Sequence, residues 1–209
     1  MLIVLLSTLI GPTALTDGRT LASSTNDKFA SVAFANISGT YEIPEAGFSI
    51  VLPPGWNGID LKGTAIVSPR GINPTTGVLN PSSDFDKVFL ILMIANSSKI
   101  NNSSSAHTVV DHRNHVRDSA EQIGCKIEDK FVKLNGTTSE KLIGLCGPML
   151  DTKVEAYAIA SDKNVILVGL KGPIAAFDYN RPIFIQSVNS MKMENQTNIK
   201  SLISSSSVR

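Results

Sequence analysis

Short apolar stretches, each ended by a turn signal, dominate the hydrophobic pattern of this chain. The clearest turn is Asn135-Gly136, the dipeptide most typical of a two-residue β-hairpin, which separates two long runs of β-forming residues. Pro53-Pro54-Gly55 closes another run, and 87–95 is apolar enough to be a strand buried on both faces. The pattern predicts strands at 40–44, 47–52, 63–68, 87–95, 125–134, 137–146, 153–160 and 165–170.

Two helices are predicted beside these strands. The first runs from Ser105 to Gly124, with apolar residues on one side and polar residues on the other, and Gly124 favours a left-handed cap at its end. The second begins near Asn180, with Pro182 in its first turn. Long antiparallel runs with two separate helices indicate an α+β layer architecture.

The N-terminus has the pattern of a secretion signal. The stretch from Leu2 to Ile10 is almost entirely apolar, and a small-residue stretch ending in Ala22 follows it. A membrane-spanning helix needs about twenty apolar residues, so this run is too short to span. We expect a signal peptide at 1–22. No Lys or Arg precedes the run, as signals usually require, and a buried first helix or strand is the alternative.

The remaining sequence divides into a linker at 23–39, one domain at 40–194 and a disordered Ser-rich tail at 195–209. The formal net charge is +1, from 19 Lys and Arg against 18 Asp and Glu, and the basic residues are scattered. This distribution argues against a nucleic-acid footprint and against a polybasic membrane patch. We expect no stable membrane span after the signal is removed.

Several Asn-x-Ser/Thr triplets are potential acceptors of N-linked sugar, a modification restricted to exported proteins. The best candidates are Asn96, Asn101 and Asn102, because they lie in a polar stretch with the composition of an exposed loop. A loop without sugar is the alternative interpretation. The triplets therefore support export only weakly.

One set of residues resembles a known family. It comprises Tyr41, the stretch Gly47-Phe48-Ser49-Ile50-Val51-Leu52-Pro53-Pro54-Gly55-Trp56, a following helix, the turn at Asn135-Gly136, and the closing Phe177-Asp178, Pro182 and Ser190-Met191-Lys192. Together these are similar to the PsbP-like domain family, named for an extrinsic subunit of the photosynthetic oxygen-evolving complex. The family shares its fold with a Ran-binding import factor of the Mog type. The similarity covers roughly 41–193.

The resemblance implies an antiparallel sheet sandwiched between helices, an α/β/α arrangement. It also implies an accessory or binding module without catalysis. It does not imply a photosystem role, because the Ser/Thr-rich segment 13–26 does not match the docking extension of the photosystem subunits. We therefore expect an exported, non-photosynthetic relative, and we transfer the fold without any binding residue.

Sequence signatures of catalysis are missing: the chain has no Gly-x-Ser-x-Gly elbow, no His-Glu-x-x-His pair and no Gly-rich phosphate loop. We therefore expect no enzyme activity and no cofactor. The densest potential metal ligands are Asp111, His115 and Asp118, which share one side of the first predicted helix. A solvated charged face is the favoured interpretation. A secreted metal-dependent enzyme or metal-binding protein is the alternative function.

Two other groups of residues have a functional and a structural interpretation. Asp84-Phe85-Asp86 offers oxygen ligands like a calcium loop, but it lacks the spacing of an EF-hand, so a capped turn before a strand is favoured. Tyr41 and Trp56 suit the lining of a ligand groove, yet a Trp beside a Pro-Gly turn is usually packed in a core.

The two cysteines of the chain are predicted to form a disulfide. With Asn135-Gly136 as the turn, Leu134 opposes Thr137, and nine further steps outward bring Cys125 opposite Cys146. At a non-hydrogen-bonded pair the Cα atoms are about 4.5 Å apart, which a disulfide can span. Two buried free thiols are the alternative. A bulge within 128–130, where the in-out alternation breaks, would shift the register.

These patterns predict an extracytoplasmic protein, secreted or on the exterior of the cell envelope. Its expected function is to dock on a larger protein partner or to hold a small ligand.

We predict that the signal is cleaved within 14–24, because small residues that fit the peptidase site follow the apolar run there. The intact mass of the protein from its native source measures this directly. Retention of Met1 in the mature protein would contradict a cleaved signal.

Overall fold

The structure is a computed structural model, and it describes residues 35–61, 64–73, 78–96, 117–118, 121, 124–147, 149–161, 164–194 and 196–197. Within these residues the regular elements are mainly strands, joined by two short 3-10 turns at Pro44–Ala46 and Asp84–Asp86. One complete helix, α1, spans Ile174–Ser190. The strands are β1 Ala35–Ser38, β2 Thr40–Ile43, β3 Phe48–Val51, β4 Asn57–Asp60, β5 Thr64–Ser68, β6 Phe89–Asn96, β7 Lys126–Leu134, β8 Thr137–Cys146, β9 Thr152–Ser161, β10 Asn164–Pro173, β11 Lys192–Met193 and β12 Gln196–Thr197.

The strands form two antiparallel sheets. The larger has the order β1-β4-β5-β6-β10-β9-β8-β7, with β12 paired to the end of β9. The smaller is three-stranded, with β3 between β2 and β11. Neighbours in the larger sheet are mostly consecutive in sequence, as expected for hairpin-connected strands, and the pairing of β6 with β10 joins its two halves.

Both faces of the central strands are buried. On one face, Leu90, Leu92 and Val168 pack with α1 and the small sheet in a single apolar core. On the other face, Met93 and Leu167 belong to a second cluster. This double burial explains why β6 and β10 are nearly continuous apolar runs, as the sequence predicted for 87–95.

The hairpin of β7 and β8 has the predicted register. Asn135 and Gly136 have φ angles of 50° and 83°, so both take the left-handed conformation that a type I′ turn requires. Every pair from Leu134↔Thr137 to Lys126↔Leu145 is in step, so no bulge interrupts the strands. The register predicted by counting outward from the turn is therefore confirmed.

The predicted disulfide is also present. Cys125 and Cys146 are bonded, with their Cα atoms 3.9 Å apart, closer than the expected spacing of about 4.5 Å. Both residues are buried, at 6% and 4% exposure, so the bond lies inside the domain. It closes the open end of the hairpin, opposite the Asn135-Gly136 turn.

The second helix begins earlier in the chain than predicted. α1 begins at Ile174 instead of near Asn180, and Pro182 lies in its interior instead of its first turn. The earlier start follows from packing, because Phe177 is fully buried at 0% exposure and anchors the first turns to the core. Since Pro182 is exposed, its ring faces away from that contact. The backbone hydrogen bond that Pro182 cannot donate is thus offset by the burial of Phe177 on the opposite side of the helix.

Most of the first predicted helix lies outside the described residues. Arg117, Asp118 and Glu121 are helical, and Gly124 has a φ of +76° while its N–H donates to the Glu121 carbonyl at 2.9 Å. The left-handed end predicted at Gly124 is confirmed. Among the described residues, no helix is long and apolar enough to cross a membrane.

Three segments differ from the predicted boundaries. β1 lies inside the expected linker at 23–39 and pairs with β4, while β12 lies inside the expected tail and pairs with β9. β4 itself was not predicted, because the dipeptide Asn57-Gly58 is typical of a turn. Gly58 is required for another reason: a Cβ there would lie 1.8 Å from the Ile66 carbonyl oxygen on β5. Close approach of two strands therefore selects this glycine.

The fold class is confirmed in its coarser form. The domain is a large antiparallel sheet with a helix packed on one face, but the described residues are mostly sheet and do not form the expected α/β/α sandwich. The α/β/α arrangement was expected from the family resemblance, and β9 and β10 are longer than the predicted strands at 153–160 and 165–170. Each is a ten-residue strand.

Replacing both cysteines with serine is predicted to lower the free energy of unfolding by about 3 kcal/mol, because the unfolded chain regains the entropy of a loop closed over 21 residues. Urea denaturation of the wild type under oxidising conditions, compared with the double variant, measures the difference. The reduced wild type is the control and should match the variant. Equal stability of all three forms would mean that the bond adds nothing.

Candidate functional site

A buried carboxylate lies between β9 and α1. Glu155 is only 1% exposed. Side chains of a strand alternate between its two faces, and Glu155, Tyr157 and Ile159 all lie on the face of β9 that α1 covers. Glu140 and Lys141 on β8 are buried as well, and the ladder sets Lys141 opposite Tyr157. The sheet therefore brings a carboxylate, an amine and a phenol together on one side.

Four contacts hold the carboxylate of Glu155. The Tyr157 hydroxyl donates to Oε1 at 2.7 Å, and Lys141 Nζ lies 2.6 Å from the same oxygen. Arg181 of α1 donates from Nε to Oε2 at 2.7 Å and from Nη2 to Oε1 at 3.2 Å. These four residues, Glu155, Lys141, Tyr157 and Arg181, are called the Glu155 cluster below. Oε1 takes three of these contacts and Oε2 one, so both oxygens of the carboxylate are bonded within the domain.

The electrostatics of the cluster keep its acid charged and its phenol neutral. Burial pushes the pKa of Glu155 up, but the donors Arg181, Lys141 and Tyr157 more than offset it, and the net pKa is lowered. Burial, reinforced by the neighbouring Glu155, raises the pKa of Tyr157 far above its ordinary value. At neutral pH the cluster is therefore a fixed ion pair that joins α1 to the sheet.

A second ion pair extends the network along α1. Lys153 Nζ lies 2.8 Å from Asp178 Oδ1 and 5.0 Å from the centre of the Phe177 ring. Lys141 Nζ likewise lies 5.3 Å from the centre of the Tyr157 ring. Both lysines thus combine a carboxylate with an aromatic face, which holds the ammonium groups in place.

Beyond α1, the same side of the sheet carries a surface formed by β7 and β8. Cross-strand pairing sets Lys130 opposite Lys141, Glu128 opposite Ile143, and Lys126 opposite Leu145. We call the outer part of this surface the hairpin face, consisting of Lys126, Glu128, Lys130, Ile143 and Leu145. Leu145 is 38% exposed and Ile143 is partly buried, whereas the charged members are all exposed.

An exposed aromatic pair lies elsewhere, where α1 meets the 3-10 turn at Asp84–Asp86. The rings of Phe85 and Tyr179 are 4.9 Å apart, and the two residues are 49% and 65% exposed. Asp86 accepts hydrogen bonds from the Ser82 backbone N–H and hydroxyl, at 3.1 and 2.6 Å. The predicted turn before a strand is therefore confirmed at 84–86, although no side chain caps it at Ser83.

The other aromatic candidates are core residues. Tyr41 and Trp56 are 7% and 4% exposed and belong to the main apolar core, so core packing is confirmed for both. Burial raises the pKa of Tyr41, and the Asp60 carboxylate, which accepts its hydrogen bond, raises it further. On the opposite face of the sheet, burial lowers the pKa of Lys171 to about 8.

The remaining sequence candidates are only partly described. Asp111, His115, Asn101 and Asn102 lie outside the described residues, and Asp118 is an exposed helical residue. The described part of the chain holds no group of three or more His, Cys, Asp or Glu arranged for a metal. Asn96 is the last residue of β6 and pairs with Asn164, so its backbone lies in a strand rather than the expected loop. Its glycosylation stays a prediction.

The sequence analysis missed the Glu155 cluster. A local signal was available, because Glu155 and Tyr157 alternate with Ala156 and Ala158 and so share the face of an apolar strand. No local signal identifies the partners. Lys141 is on another strand, and Arg181 is 26 residues away on a helix.

Comparisons with known proteins come from structure alone. No protein-family model matches the chain, and no curated protein is significantly similar in sequence. A cyanobacterial PsbP, CyanoP from Synechocystis sp. PCC 6803, is 15% identical with a TM-score of 0.47, covering 81% of this chain and 98% of its own. A variant of Mog1 is 12% identical with a TM-score of 0.40, covering 77% and 95%.

A Pseudomonas aeruginosa protein of unknown function is 14% identical with a TM-score of 0.45, covering 72% of this chain and 93% of its own. The structural neighbours thus include a PsbP and Mog1, which share a PsbP/Mog-like fold. The family that the sequence resembles is thus also represented among these structural neighbours.

Replacing Glu155 with glutamine is predicted to make stability less sensitive to acid. The folded pKa of Glu155 is lowered, so its stabilisation is complete above the unfolded pKa of about 4.3 and is lost as the pH falls through the folded value. Urea unfolding from pH 7 down to pH 3 should therefore show a shallower decline for Glu155→Gln than for the wild type.

The matched control is Glu128→Gln on the exposed hairpin face, which should leave the pH profile unchanged. At pH 7 the Glu155 variant should also be destabilised by about 3 kcal/mol, because buried Lys141 loses the charge that compensates it. Parallel pH profiles for the wild type and Glu155→Gln would show that the cluster is not the acid-sensitive element.

Proposed function

We propose that this chain is an exported, non-catalytic binding or accessory domain, which works outside the cytoplasm by docking on a larger protein or holding a small ligand. The observation that carries the proposal is the Cys125–Cys146 disulfide. Structural disulfides persist in oxidising compartments and are rare in the cytosol. A buried bond between direct cross-strand neighbours fits a structural role better than a transient redox role.

The chemistry of the Glu155 cluster supports a non-catalytic role. A general acid or base needs a pKa near the working pH and an unoccupied proton-transfer position. In the cluster, the Glu155 pKa is lowered and the Tyr157 pKa is raised, so both move away from neutrality. Contacts within the domain also occupy the carboxylate. The cluster therefore serves to fix α1 on the sheet.

Exposed apolar side chains support a binding role. Phe85 and Tyr179 form an aromatic pair beside the N-terminal half of α1, and Leu145 lies on the hairpin face. Aromatic residues are enriched at the centres of protein interfaces. The rigid sheet beneath these surfaces would present them without a large ordering cost.

The proposal predicts a protein without free thiols that associates with a partner in its native compartment. Thiol titration of the unfolded, unreduced protein from its native source should find none, and the same sample after reduction should give both cysteines. Crosslinking in intact cells, followed by purification, should yield a stoichiometric complex outside the cytoplasm. Two free thiols before reduction, or a cytosolic monomer, would contradict the proposal.

A further inference from the structure

Positive charge is concentrated at the inner edge of the hairpin face. The ladder sets Lys130 opposite Lys141, and like charges directly across a pair of strands are destabilising. Lys141 and Arg181 share the single carboxylate of Glu155. Lys130, Lys141 and Arg181 thus carry three positive charges against the one negative charge of Glu155, an excess of two on this side of the sheet.

The excess is not cancelled further out on this surface. Glu128 lies between Lys126 and Lys130 on the same side of β7, and its negative charge is matched by the positive charge of Lys126, so the excess of two is unchanged. Lys153 is already paired with Asp178 of α1. The side chains at the middle of the hairpin face, Ile143 and Leu145, are apolar. The surface thus has an apolar centre with a cationic rim.

We propose that the hairpin face docks an acidic segment of the partner protein, with an apolar side chain of that segment against Ile143 and Leu145 and its carboxylates beside Lys126 and Lys130. This inference rests on the proposed function and names the surface and the chemistry of the partner. The docked carboxylates supply negative charge to Lys126 and Lys130, which outnumber Glu128 on this face, and complementary charge also guides encounter.

The observations favour a protein segment over a membrane or a nucleic acid. Glu128 interrupts the two rim lysines, so the face offers no unbroken row of cations for evenly spaced phosphates, whereas an acidic segment can place an uncharged residue there. Anionic membranes are bound by denser clusters of about four to eight basic residues. Ile143 is partly buried within the sheet surface and does not project as an inserting side chain would.

The strand β7 provides a matched control. Lys126 and Lys130 lie on the hairpin face, whereas Lys133 is equally exposed on the same strand but points to the opposite side of the sheet. Charge reversal at Lys133 changes the net charge of the protein and alters the same strand, but it leaves the side chains of the hairpin face as they are. A loss of binding specific to the hairpin face can therefore be separated from a general charge effect.

The probe is a synthetic peptide of repeating Asp-Glu-Leu-Ser, titrated into the folded, disulfide-bonded protein by calorimetry and by backbone amide NMR. We expect shifts confined to β7 and β8, and an affinity that falls about tenfold or more in the double variant Lys126→Glu, Lys130→Glu. Lys133→Glu should weaken the binding free energy by less than half as much as the double variant does. Leu145→Ser should weaken the binding of the Asp-Glu-Leu-Ser peptide but not the binding of a peptide of repeating Asp-Glu-Ser-Ser.

Several outcomes would overturn the inference. They are no binding of the acidic peptide, equal loss with Lys133→Glu, or preferential binding of phosphatidylglycerol vesicles that requires the same two lysines. A single cooperative urea transition in each variant confirms that it folds. If the native partner co-purifies equally well with the double variant, the proposed binding function stands and the hairpin face is not its site.

Discussion

The two-residue turn at Asn135-Gly136 fixes how β7 lies against β8, and much of the domain depends on that register. One slipped residue would turn every side chain of β7 to the other face. The cysteines would no longer be opposed, and Lys126 and Lys130 of the hairpin face would turn to the other side of the sheet. The disulfide holds the far end of the same hairpin, so both ends of the ladder resist slippage.

Burial of Glu155 imposes a second constraint. Moving a carboxylate out of water is costly, and the attraction of its partners repays the cost only when the geometry is good and every acceptor is used. Here two cations and a phenol bond the two carboxylate oxygens, and one cation comes from α1. Because the helix must supply Arg181 at this point, the cluster specifies the placement of α1 more narrowly than apolar packing alone would.

The two constraints meet at Lys141. Its ammonium group belongs to the Glu155 cluster, while its backbone pairs with Lys130 at the inner edge of the hairpin face. The lysine of a buried ion pair therefore lies beside an exposed surface that is also positively charged. Binding at that surface would act on a rigid platform, since the sheet and the anchored helix support it from behind.

Local pattern determined a large part of this protein. The sequence by itself was sufficient for most strands, for the Asn135-Gly136 turn, for the left-handed end at Gly124 and for the pairing of the two cysteines. Each of these depends on residues close in the chain or on counting along one hairpin. The core positions of Tyr41 and Trp56 also followed from local context.

Only the tertiary structure decided the rest. The start of α1 depends on how Phe177 packs in the core, and β4 exists because β1 and β5 pair on either side of it. The Glu155 cluster unites residues from β8, β9 and α1 that have no local signature in common. Its charges are stable only where the fold excludes water and supplies partners together, and that condition arises from long-range packing rather than from any stretch of sequence.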